Sequence, residues 1–159
     1  MTLSALGERI NMADSEATNF VVASRFGSNE LHKYQKDMLD HLLKNRNVFV
    51  CQLTGPGKIM CYLGFSTALT KEDCIALVVS PLLSSMEEQV TYLKNLGIAA
   101  VLQGKCTKDD SRAKEGAFVY MYASPELLLA TAEWRSVLKT FCEKIKLLVV
   151  DKAHLVTLW

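Results

Sequence analysis

Apolar residues recur at three- and four-residue steps early in the chain, as Leu31, Tyr34, Met38, Leu39, Leu42 and Leu43. That spacing puts one stripe on one side of a helix over residues 28–45. The period then changes. Residues 48–51, 75–79, 98–102, 117–122 and 145–150 are short, nearly continuous apolar runs, the pattern of strands covered on both faces. Helical stretches are expected between them. Residues 60–69 form one. A second ends at Asn95, is stopped by Gly97, and carries two registers of a capping box, Ser84 with Glu87 and Ser85 with Glu88. A short helix follows over 109–115, and Pro125 opens a helical region to Phe141, broken near Glu133. Residues 1–25 mix small apolar and polar side chains and predict at most one weak helix. Five strands alternating with helices predict an α/β domain with a mainly parallel sheet and helices on both faces.

Composition narrows the class. The chain has 159 residues, half of them hydrophobic, which is enough for one domain with a real core. Lys and Arg number 18 against 17 Asp and Glu, a net charge of +1, so no global basic field draws in nucleic acid and any such contact must be local. The five cysteines, Cys51, Cys61, Cys74, Cys106 and Cys142, are odd in number and lack metal-ligand spacing. They are expected to be reduced core residues of an intracellular protein. No apolar run reaches membrane-spanning length and no signal peptide is present, so no membrane partner is expected.

Ligands of such sheets bind beyond the carboxyl ends of the strands, and two strand ends carry candidate chemistry. The first runs into Thr54, Gly55, Pro56, Gly57 and Lys58. Glycines there let backbone N–H groups close on phosphate oxygens, and the lysine reaches the terminal phosphates. The same residues also suit an ordinary strand-to-helix turn. The last strand runs into Asp151, Lys152, Ala153 and His154. A phosphate cradle followed by a strand-terminal carboxylate is the two-part signature of a phosphate-loop NTPase, with the carboxylate holding Mg²⁺. Asp151 as a helix N-cap is the alternative. Ser80, Ser84 and Ser124 follow predicted strands, where hydroxyls either bind phosphates or cap helices.

Taken in order, these segments resemble the first RecA-like lobe of a RecQ-type DNA helicase, of helicase superfamily two. The resemblance covers residues 26–159 and leaves 1–25 as an N-terminal extension. Phe26, Gly27, Leu31 and Gln35 fall at the spacing of that family's adenine-reading segment, and the likeness implies that Gln35 bonds the base with His32 beside it. A solvated glutamine on a helix is the alternative for Gln35. Thr54 to Lys58, trailed by Cys61 and Tyr62, is similar to the family's phosphate loop. Ser80, Pro81, Leu82, Leu83, Ser84 and Gln89 resemble a segment that grips single-stranded DNA, as do Ser124, Pro125 and Glu126. Asp151 to His154 stands where the family has Asp-Glu-Ala-His, and Trp159 is placed like the tryptophan of its aromatic-rich loop. The resemblance implies ATP with Mg²⁺ as cofactors, single-stranded or partly duplex DNA as partner, 3′–5′ unwinding, and roles in repair and recombination in the nucleus.

The departures from that pattern fall on the hydrolytic side. Ile59 replaces the hydroxyl that holds Mg²⁺, Pro56 removes one N–H from the loop, and Lys152 replaces the glutamate that activates water, a role worth about 10²- to 10⁴-fold in rate. His32 puts an imidazole in place of the family's basic side chain. Lys152 either sets its ammonium near the metal position or turns to solvent or pairs with Asp151. The chain also stops before the strand that follows the Asp-x-Ala-His segment, so an unpaired sheet edge open to a protein partner is expected. Lys58 and Asp151 remain as the catalytic residues the resemblance implies; at most weak nucleotide and DNA binding without hydrolysis is the expectation, and a non-catalytic protein-interaction module is the alternative.

Overall fold

The computed structural model describes residues 12–51, 57–68, 74–103, 118–130 and 132–154, and these fall into two compact units divided after Thr70. The first unit contains α1 (Met12–Arg25), α2 (Lys33–Leu43) and α3 (Lys58–Ala68). The apolar stripe read from the sequence is α2, with Leu39 buried. The three helices meet at Gly64. A Cβ there would lie 2.8 Å from Val22 Cγ1 of α1 and 3.7 Å from Leu39 Cδ2 of α2, so only a hydrogen fits at this crossing.

The second unit is a four-stranded parallel sheet in the order β2-β3-β1-β4, with β1 (Ile75–Val79), β2 (Ala100–Leu102), β3 (Tyr120–Ala123) and β4 (Ile145–Val150). Helix α4 (Leu83–Asn95) links β1 to β2, while α5 (Pro125–Ala130) and α6 (Ala132–Phe141) link β3 to β4. The β1-to-β2 and β3-to-β4 crossovers run toward opposite edges. Right-handed crossovers therefore put α4 on one face and α5 with α6 on the other. Ile75, Leu77, Val79, Val101 and Met121 share the α5–α6 face, and Trp134, Val137, Leu138 and Phe141 cover them at helical spacing. Phe118 meets Phe141 edge-on, with centroids 6.0 Å apart. The parallel sheet, with helices on both sides, is the architecture that the alternating pattern predicts.

Three expectations are corrected. Residues 48–51 form no strand: Phe49 is 82% exposed and Cys51 is exposed. A run of β-forming residues becomes a strand only where a neighbour takes its N–H and C=O groups, and the sheet's pairings do not include this one. The capping boxes at Ser84 and Ser85 do not form either. Leu82 is the N-cap of α4, without a side-chain bond, so both serines lie within the helix. Gly97 does end it, at φ +70° with the N–H of Ile98 on Leu93 O (2.9 Å) and its own on Lys94 O (3.0 Å), a Schellman close. Finally, Cys51 and Cys142 are exposed, not core residues, whereas Cys61 and Cys74 are buried. The predicted helix over 109–115 and Cys106 lie outside the described residues. The break expected near Glu133 falls between α5 and α6.

Burial pushes the Cys61 thiol up to about 11, so it stays protonated at pH 8 and is a poor nucleophile. Iodoacetamide at pH 8, read by peptide mapping, is expected to label Cys51 and Cys142 at least ~10-fold faster than Cys61. Equal labelling of Cys61 would mean that α3 opens readily.

Candidate functional site

In the first unit the candidate residues converge on the exit of the predicted phosphate loop. Gln35 sits in the first turn of α2 and is only 4% exposed, which rules out a solvated glutamine. Its Oε1 accepts the His32 N–H at 2.7 Å, and its Nε2 donates to the carbonyl of Gly57 at 2.8 Å. The amide thus ties the start of α2 to the last glycine before Lys58. Tyr34 supports the same point. Its hydroxyl lies 3.5 Å from Gln35 Nε2, its ring stacks on His32 with centroids 5.9 Å apart, and a Cβ on Gly57 would overlap its oxygen. A side chain at Gly57 would therefore have to displace the Tyr34 hydroxyl from this point. Lys58 is the first residue of α3, the end of a helix whose dipole favours an anion. Ile59 follows it inside the helix, half-buried. Thr54, Gly55 and Pro56 lie outside the described residues.

In the second unit the candidates stand along the carboxyl ends of the strands. Val79 and Val150 are in register on β1 and β4, so Ser80 and Asp151 follow side by side. The N–H of Asp151 donates to Val79 O at 2.9 Å, and the Ser80 hydroxyl donates to Asp151 Oδ2 at 3.4 Å. Asp151 is therefore anchored at the end of the strand, with a turn at Asp151 and Lys152 after it. Lys152 follows with φ +56°, a left-handed backbone that costs a non-glycine residue about 1 kcal/mol. No ion pair joins Lys152 to Asp151 among the described residues, which removes one of the readings of that lysine.

The nucleic-acid candidates divide. Ser84 is exposed on the first turn of α4, and Pro81 is half-buried beside it. The Ser124 Oγ accepts the N–H of Leu127 at 3.3 Å and so caps α5. Ser80 is buried. Trp159 lies outside the described residues. The sequence reading missed Tyr34 and the Ser80–Asp151 contact. A tyrosine next to Gln35 was the only available sign of the first. The second needs β1 and β4 to be neighbours, which no local pattern reveals.

A metal here would rest on Asp151. Among the described residues no group of three or more His, Cys, Asp or Glu side chains gathers. One carboxylate completed by nucleotide phosphates and water is nevertheless the usual Mg²⁺ site, and Asp151 fits that form.

A glycine-bounded loop exit leading into a helix-opening lysine, with a separate strand-terminal aspartate on a parallel sheet, defines the class of phosphate-loop nucleotide-binding lobes. A DEAD/DEAH box helicase family profile matches residues 32–159, and the chain belongs to that family. Its sequence is that of a RecQ-type lobe. It is similar to ATP-dependent helicase wrn-1 of Caenorhabditis elegans, 37% identical over 139 residues, which are 84% of this chain and 13% of the relative. Over 152 residues it is 32% identical to ATP-dependent DNA helicase hus2/rqh1 of Schizosaccharomyces pombe, covering 85% of this chain and 11% of that one. With ATP-dependent DNA helicase RecQ of Pasteurella multocida it shares 30% over 145 residues, 87% of this chain and 22% of the relative. The chain thus spans between about a tenth and a quarter of these proteins' lengths.

Replacing Gln35 by leucine removes both amide bonds at the loop exit. The expected loss is about 1–3 kcal/mol in the first unit. Hydrogen exchange is the measurement: amides of α2 and α3 are expected to exchange faster while those of β1 to β4 keep their rates.

Proposed function

We propose that this chain is a RecQ-like helicase ATP-binding lobe that binds adenine nucleotide and nucleic acid without hydrolysing ATP or unwinding DNA. The observation that carries the reading is the braced loop exit: Gln35 and Tyr34 hold Gly57 in place, and Lys58 opens α3 immediately after it. A lysine at a helix start is a phosphate clamp that works without a metal. For Gln35 to read adenine it must exchange its bond to Gly57 for the base, so base binding and loop position are linked through one side chain.

The hydrolytic groups are the ones absent. Ile59 supplies no oxygen to a metal. Lys152 is a cation where the family places a carboxylate, so nothing at that position accepts a proton from the attacking water. Asp151 would hold Mg²⁺ with the nucleotide phosphates, and the bound ion would neutralise phosphate charge. Nucleic acid would meet the exposed start of α4 at Ser84 and the rim at Pro81. The names of the relatives, ATP-dependent helicases and DNA helicases, support both ligands. A nuclear location accompanies this reading, and no described helix is long and apolar enough to cross a membrane.

A fluorescent ATP analogue is expected to bind, and Lys58→Ala to weaken it at least ~10-fold, the loss of a charge-assisted phosphate contact. Phosphate release with single-stranded DNA is expected to stay at background. Release faster than about one turnover per minute, still far below common enzyme rates, would overturn the proposal if Lys58→Ala abolished it.

One observation favours a second reading, a non-catalytic protein-interaction module. Among the described residues β4 lies at the edge of the sheet, and on one of its faces Leu148 is 61% and Val150 42% exposed. The free backbone edge of such a strand would accept a further strand from a partner, whose side chains would cover the apolar face beside it. Light scattering after size-exclusion chromatography separates the two readings. Association abolished by Leu148→Lys, with nucleotide binding absent, supports the module; a monomer that binds nucleotide supports the lobe.

A further inference from the structure

Ser80 belongs by sequence to the segment expected to touch DNA, yet its side chain does something else. The residue is 1% exposed, while Ser84 in the same segment is open to solvent. A hydroxyl buried to that degree does not present itself to a phosphate backbone. It donates instead to Asp151 Oδ2 at 3.4 Å. The main chain places it at a junction. The N–H of Ser80 donates to Ala123 O of β3 at 3.1 Å, and the N–H of Asp151 donates to Val79 O at 2.9 Å. Three neighbouring strand ends are thereby tied at one residue, and each runs straight into a candidate segment: Ser124 after β3, Pro81 to Ser85 after β1, and Asp151 to His154 after β4.

We infer that Ser80 is a positioning residue that orients the Asp151 carboxylate and couples it to the nucleic-acid-facing start of α4. The coupling rests on the proposed nucleotide and DNA binding, and the local chemistry makes it mechanical. Pro81 fixes its own φ and restricts Ser80 to extended conformations, so the two residues form a stiff link. A displacement of Leu82 to Ser85 by a bound strand is therefore passed to Ser80 and is not absorbed at the corner. Ser80 has one hydroxyl hydrogen to give, and Asp151 receives it. Moving the donor releases or reorients the carboxylate that would meet the metal on a bound nucleotide. The inference reassigns Ser80 from a DNA contact to a relay between the two ligands.

Two measurements on the full chain test it. Three-bond NMR couplings report the χ1 rotamer of Asp151 with no ligand present. One rotamer is expected in the wild type and in Ser80→Thr, and averaging in Ser80→Ala. The second measurement is linkage: the affinity of a fluorescent ATP analogue with Mg²⁺, taken with and without a short oligodeoxythymidylate. The wild type is expected to show coupling of about fivefold or more. Ser80→Ala is expected to bring that ratio close to one while leaving oligonucleotide affinity without nucleotide unchanged, and Ser80→Thr to restore it. An unaltered Asp151 rotamer or unaltered coupling in Ser80→Ala overturns the inference. So does a severalfold loss of oligonucleotide affinity alone, which makes Ser80 a DNA contact. If the wild type binds no nucleotide, the proposed function and the coupling both fail, while the rotamer measurement still decides whether Ser80 positions Asp151.

Discussion

The arrangement of the second unit depends on β1 being hydrogen-bonded on both sides. It pairs in parallel with β3 on one edge and β4 on the other, and all five of its residues are buried. A strand so enclosed has no polar group left for water, so its register fixes where its neighbours end. Val79 opposite both Ala123 and Val150 brings Ser80, Ser124 and Asp151 to one rim. The placement of the candidate chemistry is thus a consequence of ladder register in a sheet whose strands are only three to six residues long.

Strand β4 carries exposed apolar surface. Among the described residues this strand is bonded on one side only, and its side chains alternate between half-buried and exposed along its length. Its composition, Ile145, Leu147, Leu148, Val149 and Val150 around one lysine, suits a strand covered on both faces. The exposed apolar side chains, Leu148 and Val150, share one face of the strand, so among the described residues that face is left partly open. Residues 48–51 have the same composition without a ladder, with Phe49 open to solvent.

What could be read from the sequence follows from which interactions are local. β1 and β4 occupy the boundaries the sequence predicts, because nearly continuous apolar runs closed by Ser80 and by Asp151 need no knowledge of neighbours. Helix α2 followed from its stripe, and the end of α4 from Gly97. The strand at 48–51 failed because propensity does not supply a partner. The capping boxes failed because a polypeptide leaving a buried strand at Ser80 and Pro81 enters the helix at Leu83, before either serine can cap it. The role of Gln35 was half legible. Its position marked it as a site residue, but its bond to Gly57 spans 22 residues and joins two helices whose packing no periodicity encodes.

The positions that match the family pattern and those that depart from it differ physically. Gln35 and Ser80 are buried and bonded to backbone or carboxylate, so removing either leaves a polar group without its partner and costs stability. Ile59 and Lys152 are half-buried and lie next to residues whose backbones are already set, one by the first turn of α3, the other by the bond between Asp151 and Val79. Neither side chain is needed to make those turns. A lysine even occupies the left-handed backbone at position 152, which an asparagine or glycine would adopt at lower cost. The two matching side chains are therefore built into the fold's own hydrogen bonding, while the two departing ones are not. A lobe of this family can therefore carry an isoleucine at position 59 and a lysine at position 152 and keep its shape.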